Sequence, residues 1–421
     1  MSAPKVLSLY TGAGGLDYGF EAAGFETVGA VEINHDSCET IRANRRSWHV
    51  FEGSIFDAPT KVMLAKVGMK CRALDVLIGG PPCQPFSKAG YWVRGDSLRL
   101  DDPRANTLAA YLRVVEEALP RVFLLENVEG LAYSGKDEGL KSILTGVDAI
   151  NQRTGSNYRP VVKVLNAAEF GVPQLRERAF VIAQRDGRAF DFPEPTHGPA
   201  SSDGGGGNGV LPFDAPRPSY RTCWDAIGDL EPDPGEDLRV RGKWADLLPS
   251  IPEGQNYLWH TDRSGGLPLF GWRRRYWTFL LKLAKAKPSW TIQAQPGPAI
   301  GPFHWDNRRL SIRELCRLQT FPDDVQPVGG RTSVQRQLGN AVPSLLAEVL
   351  ARKIRTQLLG LPELRTPLKL LPPARDDLPP PRKPAAVPSE FLQLQGLHAA
   401  HPGTGKGYRA SVGPSALRDE R

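Results

Sequence analysis

Short apolar runs that each stop at a glycine or an acid constrain this chain more than any other feature. Residues 6–10, "VLSLY", lead straight into "TGAGG", and an amphipathic stretch from about 16 to 23 follows. The scheme repeats. "TVGAVEIN" ends on the acid Glu32, and a helical stretch runs through Cys38 to Asn44. A short run at 50–51 and then "ALDVLIGG" come next, followed by an amphipathic stretch at 107–119 and the run "RVFLLENV". "YRPVVKVLNAAEFGVPQLRERAFVIAQR" reads as two more strands around a turn. Strands alternating with helices predict an α/β domain built on a mostly parallel sheet. In such sheets ligands bind beyond the carboxyl ends of the strands, where these glycines and acids stand.

Beyond residue 188 the pattern lapses. "SSDGGGGNG" is a linker or loop, and Pro- and Trp-rich sequence without a sustained period runs to about 306. Helical periods return at 310–320 and 343–358. The expected organisation is a catalytic and cofactor-binding domain over 1–190, a smaller irregular domain over 191–306, a return to the first domain over 307–360, and a disordered tail over 361–421.

At 421 residues the chain can bury a large core without disulfides. Its five cysteines are odd in number and none are at metal-ligand spacing, which implies free thiols in a reducing cytoplasm and no metal. No apolar run reaches the length of a membrane span. The net charge of +7 leans toward a polyanionic partner.

In "TGAGG", Gly12, Gly14 and Gly15 allow close backbone approach to a ligand. The third glycine of a dinucleotide fingerprint would fall at position 17, which is Asp17. A pyrophosphate is therefore disfavoured. Glu32 at the end of the second run suits ribose hydroxyls, so the turn matches an adenosine cofactor without phosphates, such as S-adenosylmethionine. Cys83 lies in "GGPPCQPFS", just past a central strand. A cysteine is more often packing material, but Pro81, Pro82 and Pro85 stiffen this turn and present the thiol, a setting for a nucleophile. Glu126 ends the next strand. Arg176 and Arg178 stand at i and i+2 and so share a strand face.

These stretches resemble, in order, the motifs of the cytosine-5 DNA methyltransferases. "TGAGG" is similar to the cofactor loop, "PPCQPFS" to the nucleophile motif, "ENV" to the glutamate motif and "QLRER" to the paired-arginine motif. "RELCRLQTFPDD" and "QLGNAVP" are similar to the last two. The resemblance spans residues 5–355 apart from the variable middle. It implies a Rossmann-like S-adenosylmethionine-dependent methyltransferase sheet, with residues 191–306 as target-recognition domain. Two departures stand out. Tyr10 replaces the usual Phe, and Ser54 replaces the acid usual before Ile55, with Asp57 as a possible substitute.

By that resemblance Cys83 adds to the cytosine ring and Glu126 contacts the ring nitrogen and exocyclic amine. Arg176 holds the base's carbonyl oxygen, and Arg178 orients Glu126 or the loop. Tyr10, Thr11, Gly12, Gly14, Gly15, Leu16, Glu32, Ile33, Ser54, Ile55, Asp57, Gly80, Pro82, Leu108, Asn340 and Ala341 are the implied cofactor contacts. The base must flip out of the duplex to be reached. The basic segment 86–104 is the implied loop over DNA. Gln84, Ser87, Lys88, Arg94 and Arg99 are expected on DNA, as are Arg273, Arg274 and Arg275 among the aromatics of "GWRRRYWTF". The implied partner is double-stranded DNA, with a cognate restriction endonuclease or phage-defence system acting on the same site, an orphan methylase without one being equally compatible, and the chain is expected to act as a monomer. The rival readings are a tRNA cytosine-5 methyltransferase, a DNA-binding member without catalysis, and an unrelated dinucleotide enzyme. The short Cys-Phe-Thr element of the tRNA branch is missing from this sequence, and the intact Cys83, Glu126, Arg176 and Arg178 argue against a purely binding role.

Overall fold

The computed structural model describes residues 2–82, 106–132, 138–199, 217–271 and 276–396. The chain divides into two compact units. The first comprises Met1–Asp233, Ala286–Gln295 and Ser311–Leu378, and the second Pro234–Lys285, Pro296–Leu310 and Pro379–Arg421.

The first unit is built on a seven-stranded sheet. Its strands are β1 (Lys5–Leu9), β2 (Glu26–Glu32), β3 (His49–Glu52), β4 (Val76–Gly79), β5 (Val122–Val128), β6 (Val161–Asn166) and β7 (Glu177–Gln184). They lie in the order β3-β2-β1-β4-β5-β7-β6. The first five are mutually parallel, and β7 pairs antiparallel with both β5 and β6. The expected α/β class holds. Alternation along β1 sends Leu7 and Leu9 to one face and Val6 to the other. Leu7 and Leu9 share a core with Tyr111 of α4 (Asn106–Ala118) and with Ile143 and Val147 of α5 (Glu138–Thr154). Val6 shares the opposite core with Phe20 of α1 (Gly15–Ala22) and Leu346 of α9 (Ser344–Lys353). Both faces are covered, which is why the central strand β4 is apolar and buried from end to end. The helices α2 (His35–Asn44), α3 (Thr60–Lys66), α6 (Cys223–Ile227), α7 (Ile312–Leu318) and α8 (Arg331–Asn340) complete this unit. Strand order reverses beside β1, which is flanked by β2 and β4, so the carboxyl ends of these strands open a crevice.

The second unit holds a largely irregular fold around its own aromatic core, in which Trp244 packs edge-on against Phe270 and Phe279. Its boundaries differ from the expected 191–306. It begins at Pro234, returns Ala286–Gln295 to the first unit and takes up the chain again at Pro379. Backbone pairing explains the returned stretch, since Ser289 bonds Leu175 and Pro173 within the first unit at 2.7 and 2.9 Å.

The expectation of disorder from residue 361 is corrected for 361–396. Leu368, Leu370 and Leu371 pack on the first unit's core, where Arg352 donates to the carbonyls of Thr366 and Pro367, and Glu348 accepts from Lys369 N and Leu370 N. Phe391, in α10 (Ser389–Leu392), is 4% exposed in the second unit and stacks on Trp244 at 5.7 Å. Prolines hide these anchors from a periodicity reading, because side chains rather than a backbone ladder hold the segment. No helix among the described residues is long and apolar enough to cross a membrane.

Candidate active site

A cavity of about 640 Å³ opens at the crevice of the first unit. Its wall is made by residues at and beyond the carboxyl ends of β1, β2, β3, β4 and β5, together with Thr107 of α4 and the end of α8. Tyr10, Thr11, Gly12, Gly15, Leu16, Glu32, Ile33, Ser54, Ile55, Gly80, Pro82, Glu126, Arg178, Asn340 and Ala341 all line it.

The β1 turn is shaped for close approach. Gly12 has φ +56°, and a Cβ there would meet nothing within 4 Å. Glu32 braces this turn: Oε2 accepts from Gly12 N at 2.7 Å, and Oε1 from Ile33 N and Asn34 N at 2.9 and 2.7 Å. A carboxylate has about four acceptor positions, so it keeps capacity for a ligand hydroxyl. Ile33 and Phe56 are 70% and 56% exposed at the wall, and such apolar surfaces suit the face of a flat ring. Tyr10 is pinned by its hydroxyl, which donates to Thr107 O at 2.8 Å.

The β4 turn is fixed from two sides. Asn127 Nδ2 donates to Pro81 O at 3.2 Å, and Thr107 Oγ1 to Pro82 O at 3.1 Å. The residue after Pro82 is Cys83. Cys83, Gln84, Ser87, Lys88, Arg94, Arg99, Arg273, Arg274 and Arg275 all lie outside the described residues.

Glu126 ends up beside Gly80, whose missing side chain makes room for its carboxylate. Arg178 Nε meets Glu126 Oε1 at 2.9 Å, with the two side chains 14% and 10% exposed. Burial pushes the Glu126 carboxyl above its usual range, against the opposing pull of Arg178 and Arg176. The pair thus sets a readily protonated acid beside a permanent cation.

Four expected wall residues lie elsewhere. Gly14 takes φ +87° and faces the Tyr18 ring, against which a Cβ would lie at 3.1 Å. Asp57 is exposed on a 3-10 turn, Ile55–Asp57, and is not among the residues lining the cavity, while Ser54 Oγ caps that turn by accepting from Phe56 N. Leu108 is in the apolar core. Arg176 is 1% exposed and is not among the residues lining the cavity. Its guanidinium donates to the carbonyls of Gly339 and Ala341 at 2.7 and 2.8 Å. Gln174, two residues earlier, donates to Leu318 O at 3.2 Å. Together they staple the two late motifs to the sheet.

Sequence reasoning missed Asn34, Phe56, Thr107, Arg336 and Gln337 on the wall, and gave Asn127 no role. Asn34 had a readable signal, since it caps α2 by accepting from Ser37 N at 3.0 Å. Gln337 and Asn127 stood inside stretches already singled out. Thr107 becomes a wall residue only because α4 begins there.

Residues 4–356 match the family model described as C-5 cytosine-specific DNA methylase. The chain is 40% identical over 376 residues to the Type II methyltransferase M.SacI of Streptomyces achromogenes, covering 84% of this chain and 93% of that protein. It is 35% identical over 357 residues to M.NgoFVII of Neisseria gonorrhoeae, covering 83% and 86%. A solved structure of a prophage-encoded DNA modification methyltransferase (E. coli) is similar at a TM-score of 0.57 and 22% identity, covering 85% of this chain and 100% of that one.

Proposed function

The chain belongs to the C-5 cytosine-specific DNA methylase family and is a DNA cytosine-5 methyltransferase, and from that premise we propose that it methylates one short sequence context of double-stranded DNA with S-adenosylmethionine as methyl donor. The observation that carries this reading is the Glu126–Arg178 pair on the wall of a cavity whose Pro82 directly precedes Cys83.

The residues present fit that donor. Gly12 leaves an open cradle, Glu32 suits a sugar diol, and Ile33 and Phe56 suit the faces of a purine. When bound, S-adenosylmethionine supplies an electrophilic methyl group on a positively charged sulfur. Cys83 adds as thiolate to carbon 6 of a flipped-out cytosine, forming a sulfur–carbon bond and leaving carbon 5 nucleophilic. Glu126, its proton held more firmly by burial, stabilises the electron density arriving at the ring nitrogen. Arg178 is the wall guanidinium that meets Glu126, so we assign it both that contact and the base's carbonyl oxygen, the latter in place of Arg176. Carbon 5 takes the methyl group and loses its proton. The electron pair left behind expels Cys83, and 5-methylcytosine departs.

The Type II names of the relatives support a place in restriction-modification or phage defence, where methylation shields host DNA from a nuclease reading the same site. Working as a monomer in the cytoplasm is part of this proposal. Bisulfite sequencing of DNA from a methylation-free bacterium expressing the chain tests it, with Cys83→Ala in parallel. Methylcytosine in one context, lost in the variant, is the expected result. Unmethylated DNA despite soluble protein would overturn it and turn attention to tRNA.

A further inference from the structure

Asp17 stands where a dinucleotide fingerprint would have its third glycine, and the chemistry above leaves it unused. It is the third residue of α1 and 0% exposed. Among the described residues, no Lys, Arg or His forms an ion pair with it. Its oxygens accept instead from two hydroxyls, Ser8 Oγ on β1 at 3.0 Å and Thr27 Oγ1 on β2 at 3.2 Å. A carboxyl buried without a cationic partner is costly, and burial pushes it up to about 7. The nearest charge acting on it is Glu21, one turn along the same helix. The helix packed on α1, α9, has its Glu348 tied to its own Arg352 at 2.7 Å.

The Ser8 contact continues outward. Thr11 Oγ1 lies 3.1 Å from Ser8 Oγ, and Thr11 lines the cavity. A hydroxyl has one proton to give. When Asp17 takes that of Ser8, Ser8 accepts that of Thr11. The lone pairs of Thr11 are then left as its free hydrogen-bonding capacity at the wall. Other acceptors for the Thr11 proton, the carbonyls of Ser8 and Val31, are both at 3.4 Å.

We propose that Asp17 is a positioning residue for the methyl donor: acting through Ser8, it sets the Thr11 hydroxyl as an acceptor for an N–H or O–H group of the bound ligand. This rests on reading the cavity as the S-adenosylmethionine site. In Asp17→Asn an amide donor replaces one of the two acceptor oxygens, and in Ser8→Ala the relay is cut at its middle.

The test uses the full chain at pH 8.5, with S-adenosylhomocysteine binding by calorimetry and steady-state methylation of DNA. Asp17→Asn and Ser8→Ala should each weaken binding and raise the donor KM by about five-fold, the worth of one neutral hydrogen bond. In both, kcat should stay within about two-fold of wild type. The double variant should be no weaker than either single one. Thr27→Val removes the other hydroxyl from the same carboxylate without touching the path to Thr11. It should lower the melting temperature and leave binding unchanged. If Thr27→Val weakens binding as much as Ser8→Ala, or Ser8→Ala leaves it unchanged, the relay is refuted. Ser8→Ala and Thr27→Val decide the matter even if Asp17→Asn does not fold. A wild-type chain that does not bind S-adenosylhomocysteine would instead refute the reading of the cavity itself.

Discussion

Replacing Gly80 by alanine probes the Glu126 carboxylate without adding or removing a polar group. A Cβ at position 80 would stand 2.7 Å from Glu126 Oε2. Such contacts essentially never fall below 3.0 Å and are ordinary from 3.4 Å, so the carboxylate must withdraw by about 0.3–0.7 Å. It has little freedom to do so, because Oε1 is held 2.9 Å from Arg178 Nε in a largely buried pair. A displacement of about 1 Å at a reacting group costs on the order of 100-fold in rate, so about half of that costs roughly ten-fold in kcat. Gly80 does not occupy the left-handed region, and alanine there carries no backbone penalty of that kind. The assay is transfer of a labelled methyl group to DNA, with S-adenosylhomocysteine binding measured on the same preparation. A fall in kcat with binding intact is expected. A Gly80→Ala enzyme with wild-type kcat would refute the placement of Glu126 as the group that works on the base, and a parallel loss of binding would trace the defect to the donor pocket.

Three further outcomes follow from the geometry. Arg178→Ala leaves Glu126 buried without its cation and should cost about 3–5 kcal/mol in denaturant unfolding, while adding Glu126→Gln should recover part of that loss. Asp17, raised from an ordinary 3.8 to about 7, binds its proton more tightly in the folded state. Its contribution is therefore fully present below 3.8 and is lost as pH rises through about 7, at up to about 1.4 kcal/mol per pH unit, a slope that Asp17→Asn should remove from urea titrations. Phe391→Ala empties a buried place beside Trp244 and should cost about 3–5 kcal/mol, read as early proteolysis within the second unit while S-adenosylhomocysteine binding persists.

Much of the first unit was legible because parallel strands buried on both faces must be written as apolar runs. "VLSLY", "DVLIGG" and "FLLENV" each announce both a strand and the residues at its end. The helix Glu138–Thr154 carried a readable signal too, with Ile143, Val147 and Ile150 buried along one face, but Gly139 and Gly146 dilute it. The partners of Arg176 were not legible. Spacing puts Arg176 and Arg178 on one face of a strand, yet β7 begins only at Glu177, and the carbonyls of Gly339 and Ala341 claim Arg176. Those partners are more than 160 positions away in sequence, a distance that local pattern does not reach. The same holds for the segment from Pro379, whose partners in the second unit include Glu253 and Pro249.

That segment has a consequence for biosynthesis. The aromatic core of the second unit is closed by Phe391, which leaves the ribosome roughly 90 residues after Phe303, an interval of about 5–20 s at ordinary elongation rates. Through that interval Trp244 lacks its stacking partner, and the nascent unit offers an unfinished apolar surface to chaperones and proteases. Exchanging this unit between relatives would require three grafts rather than one. A chimera joined only at residues 234 and 310 would carry its recipient's tail against a donor's core.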